Sequence, residues 1–161
     1  MIFKNLDTLP TTYGTKKKQL CAHTHRRSNM MLNPLQLKHL NRMDAHDADM
    51  ITLNLEDAIA PERKKEALHN TALFLSYMEH SNSFIIVRVN PLDKGGAEEI
   101  AFLNDFSFDA VRVAKIKNKT EVAQALNLLS KDKELHISLE TKEAFEHLST
   151  LHIDKRLTTA N

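Results

Sequence analysis

The chain has 161 residues, 42% of them hydrophobic and only 6% aromatic, so one domain with a core of Leu, Ile, Val and Met is expected. Lys and Arg number 22 against 21 Asp and Glu, a net charge of +1; this excludes the basic footprint of a nucleic-acid binder and argues against an anionic membrane surface as partner. The single cysteine, Cys21, cannot build a disulfide framework, no apolar run approaches the ~20 residues that span a bilayer, and MIFKNLDTLPTTYG lacks the apolar segment of a secretory signal, so a soluble cytoplasmic protein is expected.

Residues 1–27 read as a polar N-terminal arm carrying Pro10, Gly14 and the basic run Lys16-Lys17-Lys18, solvated and poorly ordered. Within it, Cys21, His23 and His25 are spaced like a metal clip. No partner Cys or His group follows at zinc-site spacing, and the solvated arm is the preferred reading. From residue 28 to 161 short apolar runs alternate with helix-period segments. Ser28 to Leu32 is the first run, followed after Pro34 by Leu37, Leu40 and Met43 as an inward stripe. Met50 to Leu55 is the second. It stops at Glu56-Asp57, and Pro61 and Glu62 then open a helix with Leu68, Ala72 and Leu75 inward.

The third run, Phe84 to Val89, has four consecutive large apolar residues, the mark of a strand buried on both faces. Asp93 to Gly96 is a loop, with a Gly95-Gly96 pair too short to cradle a phosphate, and Ala97 to Leu103 a short helix. Ala110 to Ile116 is the fourth run. Asn118 and Glu121 have capping-box spacing ahead of a helix facing inward with Val122, Ala125, Leu126 and Leu129. Leu135 to Leu139 is the fifth run, and Thr141 starts a helix with Ala144, Leu148 and Leu151 inward. Arg156 to Asn161 has the pattern of a sixth strand. His69, His80 and His147 fall on helices and read as surface residues.

Strand alternating with helix implies parallel strands joined by crossovers. Two folds satisfy this: an open doubly wound sheet, or part of a (β/α)8 barrel with five to six βα units, since a whole barrel needs ~250 residues. In both, ligands meet the carboxyl ends of the strands. Those ends carry Glu56 and Asp57, Arg88 with Asn90 and Pro91, Lys115, and Glu140. Paired carboxylates at a strand end can hold a hard cation or orient a base. The plainer alternatives are that Asp57 caps the helix near Pro61 and that Arg88 forms a salt bridge with Glu56.

The motifs R-S-x-x-x-x-x-P (Arg27 to Pro34), N-L-E-D-A-I-A-P-E-R-K (Asn54 to Lys64), V-R-V-N-P-L (Val87 to Leu92), a strand bearing Lys115, and L-E-T (Leu139 to Thr141) occur in this order. Together they resemble the HpcH/HpaI aldolase and citrate lyase superfamily, in its citrate lyase beta branch, over about Arg27 to Leu151. The resemblance implies a partial (β/α)8 TIM barrel and Mg2+-assisted making or breaking of a carbon–carbon bond. It implies oxo-acid and acyl-thioester substrates, the thioester on CoA or on an acyl carrier protein, and assembly as a homo-oligomer or with a complementary lyase subunit. On it Glu140 matches the Mg2+-binding glutamate and Arg88 the arginine that grips the oxo-acid carboxylate. Glu56 and Asp57 match the acidic pair beside the metal, reached through waters. Arg27 and Lys115 are the further substrate-binding candidates.

The chain departs from the family pattern at four places. Asn54 stands where the family has Asp, Asn33-Pro34-Leu35 lacks the following arginine-bearing stretch, and Ala114-Lys115-Ile116-Lys117 replaces P-K-x-E. The family's second metal ligand, an aspartate after the sixth strand, has no counterpart before Asn161. The expectation is therefore a truncated Mg-dependent lyase, with a non-catalytic barrel fragment or assembly module as its rival.

Overall fold

A computed structural model describes residues 9–10, 12–19, 25–43 and 46–161. Six parallel strands form one sheet in the order β1 to β6: Asn29–Leu32, Met50–Asn54, Phe84–Val89, Ala110–Val113, Glu134–Ile137 and Leu157–Ala160. Between them run α1 (Leu37–Leu40), α2 (Lys64–Tyr77), α3 (Gly96–Leu103), α4 (Lys119–Leu128), α5 (Lys142–Glu146) and α6 (Leu148–Leu151). A doubly wound sheet reverses its strand order part-way. Strictly sequential order does not, and it decides between the two folds left open by the sequence. No helix among the described residues is long and apolar enough to cross a membrane.

The chain divides into two compact units, Met1–Val87 with Phe106–Asp109, and Arg88–Asp105 with Ala110–Asn161. In the first, β1 pairs with β2 from Asn29 opposite Met50 to Leu32 opposite Leu53. Leu40, Met43, Ile51, Leu53, Ala72 and Leu75 make its core. Pro61 opens a 3-10 turn, Pro61–Arg63, that runs straight into α2. A proline is tolerated there because its missing N–H falls where a helix has no partner for it.

Residues 12–19 differ from the expected solvated tail. Lys16 N donates to Ser76 O (3.1 Å), Gln19 N to Glu79 O (3.0 Å), and Gly14 N to Ser76 Oγ (3.0 Å). A Cβ on Gly14 would lie 2.4 Å from the Ser76 carbonyl oxygen, so only glycine permits this approach. Tyr13 packs edge-on against Phe106 and its hydroxyl is hydrogen-bonded to His69 Nδ1 (2.5 Å). His69 is thus a half-buried partner and not a plain surface residue. Lys18 is buried, and its ammonium lies 2.8 Å from Asp109, which also accepts Ile85 N–H (2.7 Å). An ammonium taken out of water needs such a carboxylate. The sequence pattern showed three lysines in a row but could not show which one turns inward. Cys21 and His23 of the clip-like spacing lie outside the described residues.

In the second unit β4 pairs with β5, Ala110 opposite Glu134 to Val113 opposite Ile137, and β5 with β6 across a bulge at Leu135/His136. Val111, Val113, Leu135 and Ile137 are buried, as are Ile100, Leu103, Val122, Ala125 and Leu126 on α3 and α4. Asn118 caps α4: its Oδ1 accepts from Thr120 N and Glu121 N, and Glu121 Oε2 accepts from Lys117 N. The far end is closed by Arg156, whose guanidinium donates to the carbonyls of Leu126 and Leu129. One expectation fails here. The segment after Thr141 breaks at His147 into α5 and α6, and Leu148 is 47% exposed while Ala144 and Leu151 stay buried. The break shifts the helical phase, so the i+4 step from Ala144 no longer points inward.

Candidate functional site

The carboxyl end of β2 shows how local chemistry places the acidic pair. Asn54 Oδ1 accepts from Glu56 N (3.0 Å), a side-chain turn that takes the chain off the strand at once. Lys64 Nζ reaches back from α2 to the carbonyls of Leu55 (2.8 Å) and Glu56 (2.5 Å) and holds the turn. Asn54 in place of the family's Asp therefore serves the backbone of this turn. Glu56 is buried and Asp57 exposed. The residue before the Pro61 turn is Ala60, and neither it nor Arg63 before α2 gives a side-chain cap.

Arg27 precedes β1 and grips Asp49, which precedes β2. Its Nε and Nη2 meet the two carboxylate oxygens at 3.0 and 3.1 Å, and its N–H adds a bond of 2.8 Å. These hydrogen bonds hold the Asp49 carboxyl well below the usual carboxylate range and raise Arg27. Arg27 thus sits at the amino ends of β1 and β2, and the fold does not bring it to the carboxyl ends where Asn33 and Glu56 lie.

In the second unit, Arg88 Nη2 donates to Glu140 Oε1 at 2.7 Å, joining residues 52 positions apart. The Arg88 side chain is 10% exposed and that of Glu140 35%. The turn after β3 is clamped by Glu99 of α3, which accepts from Asn90 N (2.9 Å) and Asn90 Nδ2 (2.6 Å). Gly96 makes this possible: a Cβ there would lie 2.0 Å from the Asn90 carbonyl oxygen. Lys115, two residues beyond β4, adopts a left-handed backbone with φ of +55°. A side chain held in that region costs of order 1 kcal/mol, and such strain gathers at functional positions. Lys117 pairs with Asp93 (3.4 Å) and Glu121 (3.9 Å).

Three residues of this unit were not singled out by sequence reasoning. Glu99 is one. Arg112 and His136 are the others, register partners on β4 and β5 and both buried. His136 Nε2 lies 3.3 Å from Glu134 Oε2, the oxygen that also accepts from Thr158 Oγ1 (2.5 Å). The signal for Arg112 was present, a guanidinium inside the apolar run Ala110 to Ile116.

Which hard cation could these groups hold? Glu140 Oε1 is taken by Arg88, while its second oxygen accepts no hydrogen bond among the described residues. No group of three or more His, Cys, Asp and Glu able to hold a metal ion is present among the described residues. Mg2+ keeps several waters and takes one or two protein carboxylates, and Glu140 is the carboxylate of this unit with an oxygen left over for such an ion.

The sequence pattern of HpcH/HpaI aldolase/citrate lyase proteins matches residues 27–151. The chain belongs to this family. Among curated relatives of this family member, a (3S)-malyl-CoA thioesterase of Cereibacter sphaeroides is 28% identical over 112 residues, 69% of the chain and 39% of the relative. The fold matches the citrate lyase beta subunit of Mycobacterium tuberculosis, with a TM-score of 0.63 at 14% identity over 91% of this chain and 57% of that one. RipC of Yersinia pestis matches with a TM-score of 0.64 at 18% identity, over 83% and 56%. The M. tuberculosis protein CitE has been solved with magnesium, acetoacetate and coenzyme A (TM-score 0.61, 16% identity, 84% and 49%). The chain spans about two fifths to three fifths of these relatives' lengths.

Proposed function

We propose that this chain carries the oxo-acid-binding rim of a carbon–carbon lyase of the citrate lyase beta class, acting on an acyl thioester carried by CoA or by a carrier protein. The observation that supports it most is the Arg88–Glu140 pair in a chain of this family. Arg88 offers a planar fork suited to a carboxylate, which it would bind bidentately and so orient. Glu140, one third exposed beside it, is the carboxylate for Mg2+. Bound there, Mg2+ supplies Lewis-acid polarisation of the oxo-acid oxygen. Lys115 supplies a positive charge of the kind that stabilises a developing enolate.

The test is a thermal melt of the full chain with Mg2+ and oxaloacetate, separately and together. A ligand that binds only the folded state raises the midpoint. The expected result is an upward shift with both additions that Arg88→Ala abolishes; an unchanged oxaloacetate response in Arg88→Ala would sink the role.

A second reading, a non-catalytic assembly module, draws on the exposed apolar Phe145, Leu148 and Ile153 of the second unit. A defined oligomer by light scattering, with no Mg2+-dependent lyase activity, would favour it.

A further inference from the structure

Residues 12–19 touch α2 at His69 and Ser76, and their two ends are held by different chemistry. At the far end the Lys18 ammonium is buried against Asp109 (2.8 Å). At the near end Tyr13 packs between two rings. It meets Phe106 edge-on with centroids 5.1 Å apart, and it lies nearly parallel to the His69 ring with centroids 6.2 Å apart. Its hydroxyl is 2.5 Å from His69 Nδ1. Burial raises the Tyr13 pKa, so at neutral pH the phenol keeps its proton and donates it. Neutral His69 then accepts at Nδ1 and carries its own proton on Nε2. Between the two ends Gly14 N and Lys16 N donate to Ser76, and Lys16 Nζ pairs with Glu79 (2.5 Å) where both side chains are exposed.

A protonated imidazole has an N–H at both ring nitrogens and cannot accept. The bond to Tyr13 must then reverse, and the phenol proton must turn to the Pro10 carbonyl, 3.4 Å away. The surroundings oppose the charge. Partial burial first, and the ammonium of Lys65 one turn earlier on α2 second, hold His69 below the ordinary histidine range. Glu66, three residues before it, is engaged by Arg63 (2.7 Å), and neither Tyr13 nor Phe106 brings a charge. We propose that residues 12–19 form a pH-operated strap: neutral His69 latches the Tyr13 end to α2, and protonation of His69 opens that end while Lys18 stays anchored on Asp109. The latch is complete above the histidine range of the unfolded chain and is lost as pH falls through the lower folded value. Glu79 is held below the usual carboxylate range by Lys16 and stays ionised over that window. His80, exposed and acting on Glu79, is the competing titration.

The experiment measures amide hydrogen exchange of the full chain at about pH 7.5 and about pH 5.5, either side of the histidine range, with each rate corrected for the intrinsic pH dependence of exchange. In wild type the protection of the Gly14 and Lys16 amides, which donate to Ser76, should fall about tenfold at the lower pH, the effect of one pKa unit. The Gln19 amide, next to Lys18, and the amides of β2 should keep theirs. His69→Gln can accept from Tyr13 through its amide oxygen and never charges, so its protection should be the same at both pH values. Tyr13→Phe keeps the ring against Phe106 without the hydroxyl and should be less protected than wild type at the higher pH. His80→Gln should behave as wild type. No fall in wild type, the same fall in His69→Gln, wild-type protection in Tyr13→Phe, a fall that disappears in His80→Gln, or an equal fall at Gln19 and β2 would each overturn the proposal.

Discussion

At Asp49 three hydrogen bonds from Arg27 converge on one carboxylate. Its folded pKa lies below the ordinary value, so the unfolded chain binds the proton more readily. The stabilisation is fully present above the unfolded carboxylate range and fades as pH falls through the depressed folded value. Asp49→Asn should therefore flatten the acid limb of a plot of melting midpoint against pH, and leave its neutral and alkaline parts parallel to wild type. Lys115 gives a second residue-scale expectation. Comparing Lys115→Gly with Lys115→Ala removes the side chain in both and isolates the backbone. The glycine variant should be more stable in urea by about 1 kcal/mol, because only the alanine is held at an unfavourable positive φ. Equal stabilities would mean that the left-handed conformation is not retained.

The turn between β3 and α3 is the element on which the second unit's site depends. Asn90 is held by Glu99, and Gly96 lets the backbone pass the Asn90 carbonyl. In Gly96→Ala a methyl would have to enter at 2.0 Å from that oxygen, so backbone must move. A loss of more than about 2 kcal/mol is expected, in the range of overpacking and strained-backbone changes. Arg88 is the last residue but one of the same strand, so the oxaloacetate response should fall with it. Urea unfolding and the ligand melt read the two effects separately; wild-type stability in Gly96→Ala would contradict the tight turn.

For the molecule as a whole, the pairing of Lys18 with Asp109 ties a segment early in the chain to the residue just before β4, 91 positions later. Lys18→Met leaves Asp109 buried without its ammonium. Breaking a buried pair from one side costs about 3–5 kcal/mol. The expected outcome is a large drop in the urea midpoint for Lys18→Met but little change for Lys17→Met, since Lys17 is exposed. Equal effects of the two substitutions would return residues 12–19 to the solvated arm that their polarity suggested.

Local pattern determined a large part of this protein. The five apolar runs and the segment Arg156 to Asn161 became the six strands; a parallel strand buried on both faces is largely apolar, as Phe84 to Val89 is apart from Arg88. The Asn118 cap and the Pro61 start were legible for the same reason: both depend on residues within a few positions of each other. The family followed from motifs that are contiguous in the chain. Other features rest on residues far apart in sequence, and only tertiary structure decided them. Strand order, which excludes the doubly wound sheet, is a property of pairing across the sheet. Arg27 carries a motif position, yet its partner Asp49 fixes it at the amino ends of the strands. Arg88 needed Glu140, 52 residues away, to show its setting, and the burial of Arg112, one charge in an apolar run, is likewise set by the tertiary structure. Spacing along a chain records local geometry; which charges share a dry environment depends on where the chain returns.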